Sequence, residues 1–380
     1  RGFTDDTIKR FRLGFAPDGR GVMKEALAAE GIDEGRMIAA GMIIQPDDRS
    51  RDSYDRFRGR VMFPITDRRG RALACKLQYP DMASAVESDI GQLRTMLGLF
   101  KRMDGSIDPS AMVVEITDRL REELDYAREA KHMALYANML ADRDFVTVPV
   151  PVPELSTDRL LTMSWVSGKR LDAFEDAPQE VRNRIAEMLF WTWWGPFNSH
   201  AVIHGDPHLG NYQVTGEGTG LNLLDFGCIR IFPPEFVSGV VDLYRAILAD
   251  DFDAAYAAYE KWGFSGLSRE LVEVLNIWAR FIYGPLLDDR VRSVADGVTP
   301  GEYGRKEAFA VRKLLKEKGP VKIPREFVFM DRAAIGLGAA YLRLGAELNF
   351  YRLFNESLEG FDIEKVAARQ AEAKAAVGLD

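Results

Sequence analysis

The sequence predicts an α+β protein with a two-lobed main body, its C-terminal lobe mostly helical, preceded by a small α+β segment. Three observations predict this. Short apolar runs broken by turn residues recur along the chain up to residue 165. Three short strands, Ala201–His204, Tyr212–Val214 and Leu221–Leu224, surround a loop rich in His, Gly, Asp and Asn. From Pro234 onward the pattern is helical almost throughout. A length of 380 residues suggests two or three domains.

Each element has a local cause. Thr4-Asp-Asp-Thr7 precedes Ile8, and Asp and Thr are good N-caps, so a helix starts there. Gly21–Glu30 and Asp33–Ala40 read as short helices, and Gln45–Ser53 as a polar loop. Val61–Thr66, the turn Asp67–Gly70 and Arg71–Gln78 read as a hairpin. Met82–Met103 is helical in pattern. Pro109–Leu140 contains a longer helix, with Val113, Ile116, Leu120, Leu124 and Ala127 at spacings of three and four. Phe145–Val152 and Arg159–Trp165 are strands, Gly168 ends the second, and Pro178–Ser199 is helical. Its stretch Met188–Phe197 is apolar but too short to span a bilayer, so it is expected as a buried helix. The Ala/Glu/Lys-rich tail Glu364–Val377 is helical.

Composition bounds the function classes. At 47% hydrophobic and 28% charged residues the chain reads as an ordinary soluble globular protein. Cys75 and Cys228 stand far apart and in no metal spacing, which excludes a disulfide framework and fits a reducing compartment. No signal peptide or membrane-spanning run is expected, which suggests a cytoplasmic location. The net charge of −8 is uneven: residues 1–71 carry 15 basic and 12 acidic residues, the remainder 35 and 46. The acidic bulk argues against broad nucleic-acid binding. Eight arginines between Arg49 and Arg71 keep local phosphate contact open for the smaller part.

The chemistry concentrates in two motifs. In His204-Gly-Asp206-Pro-His208-Leu-Gly-Asn211, an Asp and an Asn lie five residues apart in a tight loop. Phosphoryl transfer needs a carboxylate near the attacking oxygen and a further group on magnesium, and such a loop supplies both. Fourteen residues beyond Asn211, an apolar strand ends at Asp225-Phe226-Gly227, a carboxylate suited to bridging metal and phosphates. Either motif alone reads as a solvated turn; both, in this order, are specific to a kinase-like nucleotide site. Upstream, Lys76 on a strand is the candidate for holding the phosphates. The carboxylates proposed to position it are helical: Asp125 and Glu129, four apart, share a helix face, whereas Glu123 points elsewhere unless the helix bends.

Residues 72–355 resemble the UbiB (aarF, ADCK) atypical kinase family. The matching segments are Ala74-Cys-Lys76-Leu-Gln-Tyr-Pro80, Glu122-Glu123-Leu-Asp125-Tyr-Ala-Arg-Glu129-Ala130, His204–Asn211 and Asp225–Gly227. The resemblance implies a protein-kinase-like fold, ATP with Mg2+, and a role in ubiquinone or other isoprenoid-lipid metabolism. It also leaves room for contact with an isoprenoid lipid or the face of an inner membrane. Lys76 matches the phosphate-binding lysine and Glu129 its helical partner. Glu123 and Asp125 match the family's Glu-x-Asp signature. Asp206 matches the catalytic aspartate, and Asn211 and Asp225 the metal ligands. The hinge falls at Ser164-Trp165-Val166, whose backbone would pair with adenine. The family's Lys-x-Gly-Gln segment and Ala-rich phosphate loop, expected before Lys76, are missing.

Two residue-level features bear on the acceptor. Five residues separate Gly227 from Pro233, too few for a peptide-docking activation loop, and no Ala-Pro-Glu follows. His208 stands where protein kinases place a Lys. An ATPase or small-molecule kinase is expected. An aminoglycoside- or choline-type phosphotransferase is the alternative from another substrate class, and a non-catalytic binding module is the third reading.

Residues 1–71 resemble the N-terminal part of the DnaG-type primase core, through Phe3–Asp18 and Tyr54–Gly70. The resemblance implies basic residues facing a single-stranded template, with Arg56, Arg58 and Arg60 as candidates; the plainer reading is solvated strand residues beside Asp52 and Asp55. The primase's zinc module and acidic metal core are absent, so priming is not expected. Asp67-Arg-Arg-Gly-Arg71 suits the hairpin of either family, so the chain reads as two sequences joined inside one turn, by gene fusion or by assembly.

Overall fold

The computed structural model describes residues 4–46, 50–62, 64–79, 81–103, 117, 121–295, 314 and 324–379. The chain divides into two compact units, Arg1–Ala74 and Cys75–Asp380.

In the first unit, Thr4 accepts a hydrogen bond from the Thr7 amide (3.2 Å) and starts the helix Asp5–Phe11. Strand β1 (Gly14–Ala16) follows, then the helices Val22–Ala29 and Glu34–Ala39, the second capped by Asp33 through the Arg36 amide at 2.9 Å. Strands β2 (Ile43–Ile44) and β3 (Tyr54–Asp55) pair antiparallel, and β4 (Arg60–Met62) pairs antiparallel with β1, Phe15 opposite Val61. Ala16, Met37 and Ile43 are buried. The helix Val22–Ala29 follows Gly21, which has no capping side chain. Asp55 supplies the cap from across the unit. It is 1% exposed and accepts from the Met23 and Lys24 amides at 2.7 and 3.0 Å. A helix leaves its first amides without partners, and Asp55 satisfies two of them.

The expected hairpin over 61–78 forms only at its turn. Asp67 accepts from the Arg69 and Arg71 amides, and Thr66 bridges Ala72. Beyond that bridge the strands diverge: Val61 and Met62 pair with β1 instead. Phe63 lies outside the described residues. A turn fixes only its own few residues; strand partners are chosen by what else needs pairing.

Strand β5 (Leu73–Leu77) pairs with β7 (Leu160–Ser164), and the helix Met82–Met103 follows it. The region 109–140 holds a break. Val113, Ile116 and Leu120 lie outside the described residues, Glu123 and Leu124 form a turn, and a helix begins afresh at Tyr126–Met139 with Asp125 as its N-cap. A four-stranded sheet has the order β6 (Val146–Thr147), β11 (Gly220–Leu223), β10 (Tyr212–Thr215), β8 (Lys169–Arg170). Strands β9 (Val202–His204) and β12 (Ile229–Ile231) form an antiparallel pair.

The helix Gln179–His200 is the core of this unit. Its stretch from Met188 to Phe197 buries Met188, Leu189, Phe190, Trp193, Trp194 and Phe197, as the sequence predicts. Around it pack helices from the chain's last part, among them Pro234–Ala249, Arg325–Leu344 and Phe350–Ser357. The tail forms the helix Ile363–Ala376, and Gln370 donates to the His200 and Phe232 carbonyls at 2.9 Å each. Among the described residues, no helix is long and apolar enough to cross a membrane.

Replacing Asp55 with Ala should destabilise the first unit by about 1–3 kcal/mol, the cost of two orphaned, half-buried amides. Urea unfolding of the full chain, followed by a probe on Tyr54, should show an earlier transition; an unchanged midpoint would refute the capping role.

Candidate active site

Strand β5 presents Lys76 to the start of the Tyr126–Met139 helix. Its Nζ lies 2.9 Å from both carboxylate oxygens of Glu129 and 3.4 Å from Asp225 Oδ2. Gln78, two residues on, donates to the Leu124 carbonyl at 2.6 Å and ties the strand to the turn before that helix. Asp125 starts the helix by accepting from the Arg128 amide at 2.9 Å. That fixed start turns Glu129 inward, where it is 2% exposed, while Asp125 itself stays exposed. The expectation that Asp125 and Glu129 share a helix face is therefore corrected: Asp125 is a cap, not a member of the helix. Glu123 lies in the preceding turn and is exposed.

The charges settle one another. Burial opposes the Lys76 ammonium, but Glu129 and Asp225 outweigh it and hold its pKa above the ordinary lysine value. Burial pushes the Glu129 carboxyl up, against the pull of Lys76. Burial acts on Asp225 too, but Lys76 and the Gly227 amide prevail and its carboxyl sits below the usual range.

Asp225 follows β11. Its Oδ1 accepts from the Gly227 amide at 3.0 Å, and its carbonyl meets His204 Nε2 at 2.5 Å. Phe226 is fully buried, its ring 5.7 Å from Tyr136 and 6.0 Å from His204. The Gly205 amide donates to the Cys228 carbonyl at 2.7 Å, and a Cβ on Gly205 would also lie 2.7 Å from that oxygen. Only glycine allows this approach. It fixes the start of the loop that carries Asp206 beside the segment that carries Asp225. Asn211 donates to the Asp206 carbonyl (3.0 Å) and carboxylate (3.1 Å), and its own carbonyl accepts from the Leu224 amide at 3.0 Å. His208 is exposed and accepts from the Gly210 amide at 3.0 Å.

Lys76, Glu129 and Asp225 thus form one cluster, and Asp206 and Asn211 another, joined through Leu224. Ser164 pairs with Val150, through its amide and its hydroxyl at 2.9 Å each, and the Trp165 ring is exposed and donates to Ser167. Val166 is half-buried beside them. In the first unit, Arg56, Arg58 and Arg60 are all exposed. Arg58 lies over the Tyr54 ring, and only Arg60 belongs to a strand. Asp55 does not face them; it is turned inward to the helix amides.

Two supporting groups escaped the sequence reading. Glu122 bridges Arg128 and Arg230. His132 lies 3.1 Å through Nδ1 from the Phe226 carbonyl, and burial pushes its pKa down to about 4. His132 follows Glu129 by three, on the same helix face, which was the available signal.

These features define a kinase-like centre: a strand lysine bound to a helical glutamate, an Asp-Phe-Gly carboxylate, and an Asp/Asn loop. The ABC1 atypical kinase-like domain model matches residues 65–259, and the chain belongs to that family. A second model, the DNA primase catalytic core N-terminal domain, matches residues 1–75. The two overlap on the Asp67–Arg71 turn. Among relatives, the atypical kinase COQ8B, mitochondrial, of Rattus norvegicus is 26% identical over 289 residues, covering 76% of this chain and 54% of that one. The atypical kinase coq-8, mitochondrial, of Caenorhabditis elegans is 34% identical over 194 residues, covering 48% and 24%. The chain spans between about a quarter and just over half of such relatives. The solved Rv3197–erythromycin complex from Mycobacterium tuberculosis shares the fold, with a TM-score of 0.56 and 23% identity over 77% of this chain and 73% of that one.

Protonating His132 puts a charge where burial opposes it. An unfolded histidine titrates near 6.5 and this one near 4, so the unfolded state binds more protons between those values. The stability contribution is complete above pH 6.5 and is lost as pH falls toward 4, on the order of 3 kcal/mol for one such group. Urea melts from pH 7.5 to 4.5 should show the loss, and His132→Gln should flatten the slope; an identical slope in the variant would count against it.

Proposed function

We propose that the second unit is a magnesium-dependent, ATP-using atypical kinase or ATPase acting on a small molecule. The observation that carries this is Lys76 held between Glu129 and Asp225, since a lysine so placed can exchange Asp225 for phosphate oxygens. Glu129 orients Lys76. Asp206 takes the proton of the attacking hydroxyl, and Asn211 holds that carboxylate in place. The Ser164–Val166 backbone pairs with adenine, and the family resemblance gives Glu123, Asp125 and His208 a part in holding the nucleotide.

The donor set fits magnesium. Asn211 commits its Nδ2 to Asp206, leaving Oδ1 as an acceptor, and the Asp225 carboxylate directly follows Leu224, whose amide donates to the Asn211 carbonyl. Two hard oxygen donors, with phosphates and water completing the shell, match this ion's habit better than an all-protein cage. Among the described residues no group of three His, Cys, Asp or Glu side chains forms such a cage. Magnesium there would neutralise charge on the transferring phosphoryl group.

The family resemblance supplies the pathway, isoprenoid-quinone metabolism, and with it a peripheral membrane contact. The family's phosphate loop has no counterpart before Lys76, so turnover should be slow.

MgATP at about 100-fold excess over its dissociation constant should stabilise the chain by about 2.7 kcal/mol in a thermal-shift titration. Asp225→Ala should abolish the shift; a shift of equal size in that variant, or none in the wild type, ends this reading. Glu129→Gln, which frees Lys76 from its partner, should weaken MgATP by roughly tenfold, about 1.4 kcal/mol, in calorimetry.

A further inference from the structure

An open cavity of about 670 Å3 lies between the Asp206 loop and the Arg325–Leu344 helix, a size suited to a small molecule. Asp206 stands in its wall. His208 lines it too, and the rest is mainly apolar: Pro207 and Leu209 from the loop, Ile335 and Ala339 from the helix. Arg343 at its edge is already paired with Glu175, so it offers little attraction to a strongly anionic ligand. The helix approaches the loop at Gly336, where a Cβ would lie 2.7 Å from Pro207 Cγ. The close approach is built into the sequence on both sides, by a glycine and a proline. The segment between Gly227 and Pro233, where a peptide would otherwise dock, is taken up by β12 pairing with β9.

We propose that this groove is the acceptor site and that the acceptor is a small neutral alcohol carried on an apolar body, a proposal that rests on the phosphoryl-transfer reading above. The alcohol's carbon skeleton lies along Ile335, Ala339 and Leu209, with its hydroxyl toward Asp206. The hydroxyl oxygen forms a bond to the γ-phosphorus of ATP as the bond from that phosphorus to the β–γ bridging oxygen breaks. The hydroxyl proton passes to the Asp206 carboxylate, and ADP leaves.

The test separates the groove from the nucleotide. On the full chain without nucleotide, saturation-transfer NMR should show saturable binding of n-octanol and none of glycerol. Ala339→Trp places an indole in the groove from an exposed helix position and should weaken n-octanol by roughly tenfold. Ala339→Met should weaken it less, and serves if the tryptophan variant does not fold. Binding that survives both substitutions puts the alcohol elsewhere and overturns the assignment whether or not ATP binds. With MgATP, phosphorus NMR should show octyl phosphate forming with ADP, and no glycerol phosphate. MgATP binding without any octyl phosphate overturns the acceptor role. A chain that does not bind MgATP sinks the phosphoryl-transfer reading, and with it the acceptor role, even if n-octanol fills the groove.

Discussion

A carboxylate cannot stay charged inside a protein without a partner, and Glu129 is almost wholly buried. Lys76 is that partner, and the strand carrying Lys76 must therefore lie against the helix carrying Glu129. The pair constrains both elements. Gln78 grips the turn before the helix, and Asp125 sets where the helix starts. Removing the lysine would leave a buried charge unmatched, a larger loss than the pair's net worth. The third member, Asp225, is more exposed than Glu129 and farther from the ammonium, so it is the contact that can yield to another anion.

Behind this cluster the backbone does the positioning. His204 touches the Asp225 carbonyl, Trp193 donates to the His204 carbonyl, and His132 meets the carbonyl of Phe226. Three side chains thus satisfy three carbonyls around the Asp-Phe-Gly segment and the end of β9. Burying those oxygens unpaired would be costly. The carbonyls favour a protonated ring on each histidine, but burial outweighs them and keeps both pKa values below the ordinary one. The same packing that orders the site makes it sensitive to acid.

The first unit solves a similar problem with different means. Gly21 offers no cap to the helix that follows, so Asp55, thirty-odd residues later, is drawn in to serve its amides. The cap closes the unit on itself, and the charge so placed is withdrawn from the exposed arginines beside it in sequence. The overlap of the two family matches on the Asp67–Arg71 turn suits a joint there: the turn's hydrogen bonds are nearly all made by Asp67 and need no particular strand on either side.

The sequence by itself determined the kinase ancestry, the buried Met188–Phe197 helix and the residues of the candidate site, because these rest on fixed spacings: Asp206 to Asn211 in one loop, Asp225 beside Phe226 and Gly227, an apolar run of helical length. It also located the Asp67–Gly70 turn, which is local chemistry. It mistook the partner of Val61 and Met62, since strand pairing depends on residues far along the chain. It read Asp125 as part of a helix face because periodicity carries no mark of where a helix starts. The tertiary structure alone decided that Lys76 meets both Glu129 and Asp225, that Glu122 joins Arg128 to Arg230, and that Gly336 lets a distant helix wall the groove at Asp206. Apart from Glu122 and Arg128, which are six apart, those contacts join residues 53 to 149 positions apart, and only packing in three dimensions chooses among such pairs.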